Sequence, residues 1–331
     1  MIPDRHRDFR LDLWGILLMI PGLVVPFLQV GPFYQSVTYQ CAIGVAASMS
    51  IYVMLRMGLL AFTVPAFMAI GGYAAAMLAK AGTTNLPVLM LASFFVPMLF
   101  ALPLGALVLR LKGLYFIFIT FIFNEILQLI FFETPTLTGG SDGIVGVPPA
   151  SLMGQELFQP WQQVLVTVFV CIVAAVLTLV VTQKYRAEFI SIEENETLAE
   201  SLGVAVWKYR MIGFVASAGI SGLAGFALVN ILGTAHPSSF SSWSVNNYIA
   251  YVFVGGRGTM LGVVVGSYLL IFMHNLFSAY AHLSSGMFGI LLIAVMMIAP
   301  TGLVGTVVKT FEKARSWLRA AAVSKAREQR A

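Results

Sequence analysis

Apolar residues in this chain fall in runs too long for a soluble core. Ten runs of about 20 residues lie at 12–31, 36–55, 58–79, 87–109, 113–132, 161–183, 211–232, 240–256, 259–280 and 286–307, with short polar turns between them. A helix that crosses a bilayer needs about 20 mostly apolar residues. The pattern therefore predicts an all-α, polytopic transmembrane bundle of about ten spans. Asn246 and Asn247 interrupt the eighth run, which leaves a broken or re-entrant segment open at 240–256. The first run follows Arg5, Arg7 and Arg10, as the charged head of a leader would. Its length, Pro21 and Pro26, and the lack of a small-x-small cleavage pattern before Tyr34 predict a retained first span.

Charge orients the bundle. Ten spans place both termini on one side, and all of the 19 Lys and Arg except Lys80 then fall on that side. Basic loops stay in the cytoplasm, so both termini are expected there, with residues 133–160 outside and the loop 184–210 inside. The expected division is a transmembrane domain over 1–310 and a basic cytoplasmic tail over 311–331. Composition excludes the soluble alternatives: hydrophobic residues make up 59% of the 331 and charged residues 10%, where a soluble domain carries roughly 25% charge. The net charge of +5 does not indicate nucleic-acid binding, because the basic residues punctuate apolar runs and form no single face. Cys41 and Cys171 stand alone in apolar runs and read as small packing residues.

Three local patterns carry candidate function. Thr120, Asn124 and Gln128 recur every fourth residue in the fifth run, beside Glu125. Polar groups at such depth face a bundle interior or a watery path, so all four are candidates for a translocation path, with interhelical hydrogen bonding as the plain alternative. His274 and Asn275 are a weaker case of the same kind. In the loop 184–210, Glu188, Glu193, Glu194, Glu196 and Glu200 crowd together. Ser191 and Glu194 fit a capping box and Gly203 a helix stop, which predicts one rigid helix over 191–203. Ala199, Leu202 and Val204 would give its docking face an apolar centre. Small residues every fourth position, Gly213, Ser217, Ser221 and Gly225, then Gly258, Gly262 and Gly266, predict close helix packing.

Several motifs are absent. The chain has no G-x-x-x-x-G-K-[ST], H-E-x-x-H or G-x-S-x-G. Gly255-Gly256-Arg257-Gly258 has no strand before it and no lysine, and reads as a turn. No cofactor or metal is expected in this chain. An ion-coupled secondary transporter would want several intramembrane carboxylates and inverted repeats; a membrane enzyme would want a His/Asp or metal cluster at the membrane face.

The order of motifs resembles the LivM-type permeases of branched-chain amino-acid importers, in the ATP-binding-cassette superfamily. Phe67 to Ala76 is similar to F-x-x-I-G-A-Y-x-A-A. Leu109-Arg110-Leu111-Lys112-Gly113-Leu114-Tyr115-Phe116 with Asn124-Glu125-Ile126 resembles L-R-L-R-G-x-Y-F…G-E-I. Leu137-Thr138-Gly139-Gly140-Ser141-Asp142-Gly143-Ile144 matches L-T-G-G-S-x-G-I. Glu194-Asn195-Glu196 through Gly203 resembles the ATPase-coupling loop, and Ser221 to Gly225, Pro237 to Phe240 and Gly255 to Gly262 follow in family order. Two departures stand out: Ala61 and Thr63 replace Ser and Gly of G-x-x-S-x-G, and Glu193 stands where the coupling loop has Arg. The resemblance implies a multi-pass permease of a bacterial inner membrane that carries Leu, Ile, Val or a related small solute. It also implies a second homologous permease, two cytoplasmic ATPases that use the ATP, and a periplasmic solute-binding protein. In that reading Ser191, Glu193, Glu194, Glu196, Glu200, Leu202 and Gly203 belong to the coupling loop, and Thr138 to Gly143 to the external loop.

Overall fold

A computed structural model describes residues 5–28, 31–152, 154–277, 284–299, 302–308 and 310. The basic tail expected at 311–331 lies outside them. Helix α1 (Arg5–Met19) gives way to two 3-10 turns, Ile20–Leu23 and Val25–Leu28, where Pro21 and Pro26 lack the N–H that would continue an α-helix. There follow α2 (Pro32–Leu55), α3 (Val64–Lys80), α4 (Leu86–Val108), α5 (Leu114–Glu133), the single turn α6 (Pro135–Thr138), α7 (Pro160–Lys184), α8 (Arg186–Glu194), α9 (Glu196–Ser201), α10 (Val206–Leu232), α11 (Ser244–Gly255), α12 (Met260–Phe277) and α13 (Ser284–Ile298). Four two-residue strands sit in the loops: β1 (Ile144–Val145) pairs antiparallel with β4 (Thr234–Ala235), and β2 (Ser151–Leu152) with β3 (Gln155–Glu156). The protein is an all-α bundle. Seven of the described helical segments, α3 and α11 not among them, are long and apolar enough to cross a membrane.

The centre is α10, buried almost all round and packed by α2, α3, α4 and α7. Small residues let it come close. A Cβ on Gly225 would fall on the Met68 carbonyl of α3, one on Gly222 on the Ser93 carbonyl of α4, and one on Gly71 of α3 on the Gly222 Cα. Ser217 Oγ donates to the Ser50 carbonyl at 3.0 Å and Ser221 Oγ to Ser50 Oγ at 2.9 Å, which joins α10 to α2. Gly213 accepts the end of Met57 instead of backbone. A second close pair joins α11 to α12, where Gly262 and Gly266 lie against the backbone of Gly255 and Gly256. Gly258 does not belong with them: it lies in the turn before α12, and a Cβ there would meet open space.

The contacts put the basic turns at one end. Gly58 faces Glu193, Lys112 reaches Glu196, and Asp12 of α1 joins Gln183 at the end of α7 to Met260 at the start of α12. At the other end, β1 pairs β4 and Thr84 bonds Ser151. Thr138 Oγ donates to the Phe131 carbonyl at 2.6 Å. Left-handed backbone at Gly139, Gly140 and Gly143 folds that loop tightly, so a Cβ on Gly143 would meet the Ala235 carbonyl. Of Thr138 to Gly143, Ser141 and Asp142 are the exposed residues.

Candidate functional site

At the basic end the loop after α7 forms two short helices, not one. Ser191 lies inside α8 and its hydroxyl donates to the Glu188 carbonyl at 2.9 Å, so it caps nothing. Glu193 and Glu194 fall at the C-terminal end of α8, not in a first turn. The cap is Asn195: its backbone turns extended, and Oδ1 accepts the Leu198 N–H at 3.0 Å to start α9. The capping-box expectation failed because Asn favours an N-cap as strongly as Ser does, and this Asn stands in the only break. At its other end α9 stops as expected. Gly203 takes φ +87°, its N–H bonds the Glu200 carbonyl, and the Val204 N–H bonds the Ala199 carbonyl. Those are the two bonds of a Schellman stop.

Ile192, Ala199 and Val206 are buried together, with Val204 against them. Ala199 and Val204 therefore hold the hairpin down and offer a partner nothing. What projects is Leu198 at 57% exposure, Leu202 at 75% and Trp207 at 52%, with Glu194 and Glu200 exposed beside them. Glu196 turns inward. Arg210 of α10 grips it with both terminal nitrogens, at 3.0 and 3.1 Å, and Lys112 reaches it at 3.0 Å. Burial alone would raise the Glu196 carboxyl, but the Lys112 hydrogen bond and the Arg210 charge outweigh it, and the net shift is downward. Glu196 thus works inside the chain, apart from the acidic surface. The motif pattern did not distinguish it from its neighbours; the signal missed was Arg210, 14 residues on.

The polar stripe of α5 holds two breaks in the bundle. Residues 59–63, between α2 and α3, are not helical, yet Leu59, Ala61 and Thr63 are buried. The Phe62 N–H donates to Thr120 Oγ1 at 3.2 Å, six residues or about 9 Å into α5. The second break is the non-helical stretch before α11. Asn124 Nδ2 donates to Ser242 Oγ at 2.7 Å, and Ser242 Oγ donates to Gln128 Oε1 at 3.3 Å. Helix α11 has 12 residues, about 18 Å of rise against a hydrocarbon core of about 30 Å. The stretch 240–256 is therefore the broken alternative. Irregular backbone at this depth must be covered by protein and satisfied, and the stripe does both. Asn124 and Gln128 pack with Pro65, Pro237 and Phe240 so closely that no water-sized space remains.

Glu125 overturns the expectation that it would face the interior. One residue on from Asn124, it points about 100° around the helix, and it is exposed. Asn275 bonds Gln40 at 2.9 Å across α2 and α12. Asp12, which sequence reading passed over, is buried and accepts from the Met260 N–H at 2.8 Å and Gln183 Nε2 at 2.7 Å. Its signal was available: an acid inside the first apolar run.

Long apolar helices around two broken ones, with internal polar groups holding the breaks, define a multi-pass membrane permease. The family described as branched-chain amino acid transport system / permease component matches residues 33–300. The chain belongs to that family. The high-affinity branched-chain amino acid transport system permease protein LivM of Salmonella typhimurium is 27% identical over 300 residues, 79% of this chain and 69% of that protein. LivM of Escherichia coli is 28% identical over 225 residues, 60% of this chain and 53% of that protein. No solved structure matches.

Proposed function

We propose that this chain is the membrane-spanning subunit of a binding-protein-dependent importer of branched-chain amino acids in a bacterial inner membrane. It pairs there with a second, homologous permease. An external binding protein delivers the solute, and two ATP-binding-cassette ATPases dock on α8–α9 and consume the ATP, in keeping with a sequence that holds no G-x-x-x-x-G-K-[ST] motif. The observation behind the docking role is the form of α8–α9. A short helix capped at both ends and anchored to α10 raises Leu198 and Leu202 out of the bundle, with Trp207 of α10, Glu194 and Glu200 also exposed. Apolar anchors in a charged rim are how protein interfaces are built. Free connectors have no need of an Asn cap, a Schellman stop and a bidentate arginine.

The test is uptake and binding-protein-stimulated ATPase in proteoliposomes holding the whole importer. Leu198→Asp with Leu202→Asp, and separately Glu194→Lys with Glu200→Lys, change exposed groups only. Both should leave insertion and assembly intact while stimulation and uptake collapse. Wild-type stimulation and uptake in both variants would make α8–α9 a mere connector.

A further inference from the structure

Glu125 is 11 residues from the start of α5 and 8 from its end, about 16 and 12 Å along the axis. It is exposed at mid-span and has no hydrogen-bond or ion-pair partner among the described residues. Bare carboxylates facing lipid are strongly disfavoured; such groups face water, a cation or protein. The segment bonded to Asn124 brings other exposed groups to α5. Ser242, bonded to Asn124, precedes Trp243, which is 80% exposed. Asn246 and Asn247, three and four residues after Trp243, stand one turn further along the same side of α11, and both are exposed. Past them α11 borders an open cleft of about 210 Å³ that Asn247 shares with Gln40, Tyr248, Tyr251 and His274. The exposed groups that follow the Asn124–Ser242 bond are thus an indole, two amides and a cleft whose walls include Ile43, Leu228 and Ile271 beside the polar residues. On α5 itself the exposed residues around Glu125, namely Phe118, Phe121, Ile122 and Leu129, are apolar, as are Ile119, Ile126 and Ile130 on its other exposed side, so Glu125 stands as a lone exposed polar group between the ends of this helix.

We propose that the surface from Glu125 through Trp243, Asn246 and Asn247 lines the water-filled path, and that Glu125 is the counter-ion for the ammonium group of the solute. This rests on the importer reading and narrows it. Carboxylate and indole face together suit a cation, and the amides suit a carboxylate, so the solute class is the zwitterionic amino acid; a neutral amide or urea would leave Glu125 unpaired. The apolar part of the solute adds no demand that this surface could not meet with Trp243.

Two measurements test it in right-side-out membrane vesicles holding the assembled importer. The first places a single cysteine by Glu125→Cys, with Cys41→Ala and Cys171→Ala, and probes it with the membrane-impermeant methanethiosulfonates bearing ethylammonium or ethylsulfonate groups. The Glu125→Cys thiol should react, and Ile126→Cys, one residue away, should not. Equal inertness of the two positions would overturn the path assignment, whether lipid or a dry contact with the second permease covers Glu125. The second measurement is leucine uptake driven by ATP. Glu125→Gln should raise the apparent KM about tenfold or more, the order of a charge-assisted hydrogen bond, while Glu125→Asp keeps part of the wild-type behaviour. An unchanged KM and rate in Glu125→Gln would overturn the counter-ion role. Failure of the wild-type assembly to accumulate leucine would instead sink the importer reading itself.

Discussion

The Glu196–Arg210 pair makes an asymmetric prediction. Its two side chains are unequally buried: the Arg210 side chain is 9% exposed and that of Glu196 22%. Arg210 Nε is buried with no partner of its own, so the guanidinium depends on Glu196. In Glu196→Gln the charge of Arg210 stays buried and loses its counter-ion. Breaking a buried pair from one side costs about 3–5 kcal/mol, and the partial exposure here points to about 3. In Arg210→Met the remaining carboxylate keeps Lys112, itself 69% exposed, and can take up water. That loss should be about 1 kcal/mol, the scale of an exposed pair. The double variant orphans no charge and should resemble Arg210→Met alone. What the pair holds is the start of α9, whose other attachment is the small cluster of Ile192, Ala199 and Val206. Hydrogen exchange reads this locally, at the Ala199 amide, which bonds the Asn195 carbonyl at the start of α9, and at the Val204 amide, which closes it. About 3 kcal/mol corresponds to roughly 100-fold faster exchange, and about 1 kcal/mol to roughly fivefold. Exchange in Glu196→Gln at the wild-type rate, or slower than in Arg210→Met, would show that the pair does not hold the hairpin.

Three further outcomes are expected. Gly222→Ala should lower the melting temperature in detergent sharply, because its Cβ would fall on the Ser93 carbonyl, whereas Gly258→Ala, with open space, should not; equal shifts would refute the packing argument. Single cysteines at Ser141 and Ser201, both exposed but at opposite ends of the bundle, should label with an impermeant thiol reagent from opposite sides of the membrane, Ser141 from outside; labelling from the same side would invert the topology. The Glu196 carboxyl is held below its ordinary value of 4.5, so its contribution is fully present above that value and is lost as pH falls through the lower folded one. Protection of the Ala199 amide, corrected for intrinsic exchange, should stay level from about pH 8 to 5; a fall within that window would assign the titration elsewhere.

Much of the fold was legible because bilayer length and residue spacing leave few alternatives. Runs of apolar residues set the helices, and the turns rich in Lys and Arg gather at one end through the contacts of Gly58, Lys112 and Asp12. Gly203 could be read as a stop, since a left-handed residue after a polar helix favours glycine. The breaks were less legible. In the run 58–79 Pro65, in the first turn of α3, is a hint that helix begins at Val64, but Leu59 to Phe62 are as apolar as a span and gain their reason from Thr120, more than fifty residues away. Glu125 was misplaced for a related cause. Periodicity says that it lies about 100° from Asn124, but not which side of the helix the rest of the bundle covers; Thr120 and Asn124 are buried and α5 touches its neighbours along a narrow stripe. In the loop, five glutamates looked alike, and only tertiary contact with Arg210 separates the one that locks the hairpin from those that face out.

The two candidate regions lie at different depths, and α10 joins them. Arg210, in its second turn, holds α9, and a displacement of α9 must either move α10 or break that pair. Further along, α10 meets α3 backbone to backbone, Gly222 on Gly71 and Gly225 on Met68. Side chains can change rotamer to absorb a shift, but backbones in contact cannot, so α3 and α10 are bound to move as one body. The first residues of that body lie at the break 59–63, which the Phe62–Thr120 bond ties to α5. Beyond that bond α5 is held by the Asn124–Ser242–Gln128 bonds at the second break and by the glycine-rich loop that follows it. A helix fixed along one stripe, with the rest of its surface free of the bundle, can pivot where α10 cannot. The carboxylate of Glu125 sits on that helix, about 100° from the stripe, so a pivot about the stripe would swing it further than any group within the stripe itself. Motion entering at α9 thus has a stiff route to the break, and the group it would reorient is the one unpaired charge at mid-span among the described residues.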